Sequence, residues 1–265
     1  MLKQKTIEAR MKRREEAKAA WAEAMAKGNI AEARTHAMGS TRMTKEIVAS
    51  AKTLLGYMGI PFVVAPSEGE AQASIMCKEG LVHAVASQDY DTMLFGAPLV
   101  ARNLTISGRR KLPRKNIYIN VEPELMSFED TTRALGLNQR QLIWIGLLLG
   151  TDFNNGIKGI GPKTALKVVK GAKELEDVER FVRERAGEQF EVNPKDVEDL
   201  FLNPEVKNFT KDDMQIVLKT SPDEKKLIEF MCNEHGFSEE RIAKFAGKLF
   251  ESSKSTKQSS MDKWV

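Results

Sequence analysis

Cysteine is scarce in this 265-residue chain: Cys77 and Cys232 are its only two, too few for a disulfide framework or a cysteine-based zinc site. Three histidines do not suffice for a His-rich metal site either. Any metal ion must therefore be held by carboxylates, which favours Mg²⁺ or Mn²⁺. No apolar run reaches the roughly 18 residues of a membrane span. The opening MLKQKTIEARMKRREEA is charged where a secretory signal needs an apolar stretch. The expectation is an intracellular protein with no membrane partner. Charge of both signs is plentiful, with 41 Lys and Arg against 37 Asp and Glu, and the 42% of hydrophobic residues is enough to bury a core. That balance excludes disorder throughout.

From Lys3 to Gly28 the chain contains no proline and is rich in Ala, Glu, Lys and Arg, which predicts one long exposed helix closed by Gly28 and Asn29. Its start is strongly basic. Lys3, Lys5, Arg10, Lys12, Arg13 and Arg14 face only Glu8 there, a charge excess that draws a polyanion. A second helical stretch follows. Between Thr44 and Met58, Ile47, Val48, Ala51, Leu54 and Leu55 keep a helical period, predicting a helix that packs on a core.

The pattern then becomes α/β. Apolar runs at Pro61 to Ala65 and Val82 to Ala86 read as strands on either side of a helix from Ser67 to about Glu79, and Leu99 to Ala101 and Ile117 to Val121 read as further strands. The fold class expected is α/β, with a mixed, partly parallel sheet flanked by helices. From Ser127 the chain reads almost entirely helical, and its tail SSKSTKQSSMDKWV reads as a polar arm.

Acidic residues cluster at element ends: Glu68 and Glu70 in PSEGEA, Asp89 and Asp91 in SQDYD, and Asp152 in GTDF. If the first two strands are parallel neighbours, both acidic pairs meet at one sheet edge, and Asp152 closes the group. Carboxylates so crowded need cations, and a two-metal site for phosphoryl chemistry is the economical reading. A structural reading stands beside it. Ser67 with Glu70 has the spacing of a capping box, and an Asp after a strand often serves only a turn or a helix cap.

The segment GIKGIGPKTALKVVK, residues 156 to 170, is more specific. Gly159 and Gly161 permit a tight turn with close backbone approach, Pro162 suits the first position of a helix, and Lys163, Lys167 and Lys170 lie along that helix. The predicted element is a helix-hairpin-helix, whose exposed N–H groups and lysines bind a phosphate backbone without reading bases. In the last residues, QSSMDKWV, one helical turn would present Met261 and Trp264 together as an apolar plug for a partner's pocket.

The stretches PSEGEA, SQDYDTMLFG, LTISGRRKLP, LLLGTDFNNGIKGIGPKTAL and FMCNEHGFSEERI resemble the flap endonucleases of the structure-specific 5′-nuclease superfamily, the archaeal type above all. The resemblance implies a helical arch or gateway, a helix-hairpin-helix, and hydrolysis of DNA phosphodiesters at single-strand/duplex junctions in replication and repair. It implies two Mg²⁺ ions, with Mn²⁺ able to substitute, held by Glu68, Glu70, Asp89, Asp91 and Asp152. Lys3 and Arg10 match basic gateway residues that contact the scissile phosphate. Gly159, Gly161, Lys163 and Lys167 match the duplex-binding turn, where backbone oxygens can hold K⁺. Gln258, Met261, Trp264 and Val265 resemble a sliding-clamp-binding box in which Val265 replaces the second aromatic.

The division expected is a nuclease domain over 1–251, with a gateway at 1–43, an internal region at 44–170 and a helical part at 171–251, followed by a clamp-binding tail at 252–265. The family pattern begins with a further stretch carrying strands and two more metal-site aspartates. The expectation is therefore that cutting needs that segment, in cis or in trans. The alternative is a clamp-tethered DNA-binding module that does not cut. The location expected is the nucleoid of an archaeal cytoplasm, or the nucleus of a eukaryotic cell.

Overall fold

A computed structural model of the chain describes residues 4–40, 43–105, 108–111 and 117–254. Lys3 and the expected clamp-binding residues Gln258, Met261, Trp264 and Val265 lie outside them. Helix α1 (Gln4–Ala26) ends where Gly28 takes a φ of 70°, and α2 (Ile30–Ser40) folds back along it. Ala24 and Ala33 are buried between the two, and a Cβ at Gly39 would already meet that of Ala17 at 3.4 Å, so small residues set how closely they approach. Helix α3 (Lys45–Tyr57) starts at Thr44, whose hydroxyl accepts from the Ile47 N–H.

Helix α4 (Gly69–Lys78) leads to β1 (Val85–Ala86), the short α5 (Asp91–Leu94) and β2 (Leu99–Arg102). Strands β3 (Gly108–Lys111) and β4 (Tyr118–Val121) form an antiparallel pair of their own. Strand β5 (Glu124–Ser127) returns to the first sheet, whose order is β1-β2-β5, parallel between β1 and β2 and antiparallel between β2 and β5. This is the mixed sheet flanked by helices that the sequence predicts. The helices after it are α6 (Phe128–Leu135), α7 (Gln139–Leu149), α8 (Pro162–Gly171), α9 (Leu175–Phe181) with a π-helical turn at Val182–Ala186, and α10 (Pro194–Leu202). Then come α11 (Lys211–Leu218), α12 (Glu224–Glu229) with a π-helical turn at Phe230–Glu234, and α13 (Glu239–Lys254).

The described residues form two compact units, one from those up to Ser40 with Ala65–Phe209, the other from the rest. In the first, Ile143, Trp144, Leu147 and Leu148 fall on one face of α7 and are buried against Ala165 and Val169 of α8 and Val197 and Phe201 of α10. Each such large side chain contributes about 1.5–3 kcal/mol by leaving water. Phe201 sits among Phe95 and Phe153 at ring distances of 4.8 and 5.4 Å. Beside them Glu198 is fully buried, yet it accepts from Trp144 Nε1 at 2.7 Å, Arg140 Nε at 3.0 Å and Lys195 Nζ at 2.7 Å. Burial opposes its ionisation. The three donors outweigh that and hold the carboxyl below the ordinary glutamate range.

Two expectations are corrected. Residues 61–65 form no strand: Pro61 and Pro66 remove N–H donors at both ends of the run, and Phe62 and Val64 are exposed. The parallel partner of β1 is instead β2. Helix α3 forms where predicted but buries none of its residues, and Ile47 and Val48 are exposed. The second unit's buried residues lie elsewhere, at Met214, Leu227, Phe230 and Ala246, and α3 reaches them by stacking Tyr57 edge-on to Phe230 at 5.6 Å.

Candidate nuclease site

The α4 helix begins at Glu68, which is extended at the cap position and makes no side-chain capping bond, so Gly69 and Glu70 form the first turn. The Ser67–Glu70 capping box does not form. Glu70 instead accepts a short hydrogen bond from the Ser87 hydroxyl just past β1, at a helix start where the dipole favours negative charge. The Ser87 oxygen in turn accepts from the Asp89 backbone N–H at 3.0 Å. One hydroxyl therefore ties the two acidic loops together. Below them Ser74, fully buried, donates to the Glu70 carbonyl at 2.6 Å and reaches the Thr92 carbonyl at 3.4 Å, while Thr92 donates to the Asp89 carbonyl at 3.1 Å. These bonds seat α5, and with it Asp91, against α4.

The loop carrying Asp89 is also held from β2. Arg102 donates to the Tyr90 hydroxyl at 2.5 Å and to the Gln88 carbonyl at 3.2 Å, with its guanidinium 4.3 Å from the Tyr90 ring centre. Asp152 sits in a stitched turn after α7. Thr151 and Asn154 bond each other through side chains at 2.8 Å, Asn154 donates to the Leu147 carbonyl at 2.8 Å, and Ile157 N–H returns to Leu148 at 2.9 Å. A Cβ at Gly156 would stand 2.3 Å from the Leu149 carbonyl oxygen, so glycine is required for the turn to close. Across from it Arg10 of α1 donates to Asp152 at 2.5 Å. Expected phosphate-contacting and metal-holding residues thus already pair.

The structure therefore joins the expected residues in two sets, Glu70 with Asp89 through Ser87, and Arg10 with Asp152. Among the described residues no group of three carboxylate, imidazole or thiolate side chains is gathered about one point. The donors are oxygen-only and anionic, the kind a hard divalent ion takes, so in chemistry they fit Mg²⁺. Sequence reasoning missed Ser87, Tyr90 and Arg102. A serine two residues before an aspartate at a strand end is the one signal that could have exposed Ser87.

The predicted hairpin is present between α7 and α8. Gly159 has a φ of 81°, a conformation glycine tolerates, with no atom within 4 Å of where a Cβ would be, and Gly161 caps α8 with Pro162 as its first residue. Lys158, Lys163, Lys167 and Lys170 are exposed around the turn.

The family model of the XPG I-region matches residues 59–152, a stretch containing all five carboxylates. Flap endonuclease 1 of Thermococcus onnurineus is 45% identical over 99% of this chain and 74% of its own length. The chain belongs to the flap endonuclease family. Its activity class is that of a structure-specific nuclease, a hydrolase acting on DNA phosphodiesters, and the family implies dependence on a divalent metal. The solved flap endonuclease-1 of Methanococcus jannaschii superposes with a TM-score of 0.65 at 34% identity, covering 85% of this chain and 64% of that one. The catalytic core of Rad2 in complex with DNA substrate shares the fold at a TM-score of 0.58 and 24% identity, over 83% of this chain and 73% of that one. Among the described residues, no helix of this flap endonuclease homologue is long and apolar enough to cross a membrane.

Proposed function

We propose that this chain cuts DNA at 5′-flap junctions, with accompanying 5′-3′ exonuclease activity, through two Mg²⁺ ions held by Glu68, Glu70, Asp89, Asp91 and Asp152. The observation that supports this most is the bond chain from the Glu70 carboxylate through the Ser87 hydroxyl to the Asp89 backbone N–H, which ties the loop carrying Asp89 to the start of α4. Divalent ions, when bound, supply Lewis-acid polarisation and neutralise charge that builds on the phosphate. The chain's own residues do the rest. Ser87 and Arg102 fix the acidic loops so that little reorganisation accompanies the reaction. Arg10, which pairs with Asp152 in the free protein, is the cation that turns to the scissile phosphate, a role shared with Lys3. The α7–α8 hairpin holds the duplex by its backbone, with K⁺ a candidate ion at its carbonyls. The tail residues Gln258, Met261, Trp264 and Val265 dock on a sliding clamp.

A 5′-labelled flap duplex incubated with Mg²⁺ tests the reading when the family's leading segment is present, in cis or in trans. A metal-dependent cut at the junction is expected. Binding without cutting at any protein concentration would assign the DNA-binding module instead.

A further inference from the structure

Beside the hairpin lies an open groove of about 1150 Å³. One set of its lining residues, Lys158, Lys163 and Lys167, comes from the hairpin turn and α8. Another set, Lys173, Arg180 and Arg185, comes from α9 and its flanks. Among the described residues that line it, Asp177 is the single acid. That carboxylate is already engaged: it accepts from the Lys173 N–H at 2.9 Å and the Glu174 N–H at 3.3 Å, and Arg180 donates to it closely. The rest of the lining includes Ile160, Val168, Ala172 and Phe181, an apolar wall that focuses the field of the cations into the groove. Six cations around one occupied anion repel one another, and a polyanion relieves that repulsion.

We infer that α9 supplies a second row of phosphate contacts, so that one strand of the duplex backbone lies in the groove between Lys163 and Lys167 on one row and Lys173, Arg180 and Arg185 on the other. This rests on the duplex-binding reading of the hairpin and extends it to residues that the hairpin motif does not contain. Gly159, which lines the groove and has open space where a Cβ would be, leaves the backbone room to approach. Arg180 exchanges an exposed bond to Asp177 for one to a phosphate oxygen, which suits the planar guanidinium.

The test is fluorescence anisotropy of a labelled blunt duplex without a flap, titrated from about 50 to about 200 mM salt. It compares the wild type, Arg180→Gln/Arg185→Gln and Lys163→Ala/Lys167→Ala. Each lost phosphate contact flattens the slope of log K against log salt by about 0.9, so each double variant is expected to be shallower by about 1.8. The charge-preserving Arg180→Lys/Arg185→Lys should keep the wild-type slope, and circular dichroism should be unchanged throughout. A wild-type slope in the Arg→Gln variant alongside a flattened one in the Lys→Ala variant overturns this inference and leaves duplex binding by the hairpin intact. Wild-type slopes in both overturn both readings. Saturable binding of inorganic phosphate that the Arg→Gln change abolishes, with an unchanged duplex slope, would assign the groove to a free phosphate and also overturn it.

Discussion

Ser87 shows how a residue with no metal-binding chemistry can decide the geometry of those that have it. Its hydroxyl donates to Glu70 and accepts from the Asp89 N–H, so removing it unties the two loops from each other without removing a proposed ligand. For Ser87→Ala we expect a drop of about 10–100-fold in divalent-ion affinity or in cleavage rate, the usual cost of losing an outer-sphere partner. Isothermal titration with Mn²⁺ reads the first and a single-turnover assay the second; unchanged values in both would make Ser87 a mere turn residue. Glu198 gives a stability counterpart. Its folded-state pKa lies below the ordinary value of about 4.3, so its contribution is fully present above that pH and fades as pH falls through the lower folded value. Glu198→Gln should cost about 1–3 kcal/mol at neutral pH in denaturant unfolding, and the gap to wild type should narrow as the solution is acidified. A gap independent of pH would show that packing, not charge, is at stake. The five carboxylates could be proposed from the sequence because acids at element ends stand out. Ser87 and Arg102 were not, because serine and arginine occur everywhere, and Glu198 sits among Lys195, Asp196 and Asp199 in what reads as a solvated face.

At the scale of elements, the turn after α7 carries the most consequence for its length. It returns through the paired Gly150 and Asn155, and Gly156 passes so near the Leu149 carbonyl that any side chain forces the backbone apart. Gly156→Ala should therefore destabilise by about 1–3 kcal/mol, the range for overpacking, and should weaken cutting by displacing Asp152, a proposed metal ligand. Thermal unfolding and cleavage read together check this, and a variant as stable and as active as wild type would refute it. The hairpin and the helix after it were legible because glycine, proline and lysine at fixed offsets carry backbone geometry with them. Strands were harder. GRRK and ELMS, which become β3 and β5, lack the β-branched alternation that marks a strand, and their partners across the sheet decide their state. Residues 61–65 show the converse, an apolar run that no neighbouring strand pairs among the described residues.

For the molecule as a whole, the scarcity of cysteine and histidine, the basic start and the lysine-bearing hairpin all pointed to a protein that holds a polyanion and works with carboxylate-bound ions. Relatives that share about 45% of residues over nearly the whole chain are flap endonucleases, a family that implies a divalent metal. The grouping of residues on either side of 41–64 into one unit was not legible, because it depends on contacts distant in sequence. In the proposed function the acidic edge around Glu70 and Asp89 performs the chemistry while other surfaces hold the DNA. Single-turnover cleavage of a 5′-flap duplex in Mg²⁺ by wild type and by Asp89→Asn, with the family's leading segment present and duplex affinity measured in parallel, addresses it directly. That division of labour entails a loss of cutting on the order of a thousandfold or more with affinity changed less than about threefold. Equal cutting by the two proteins, or a loss of affinity matching the loss of cutting, would contradict it.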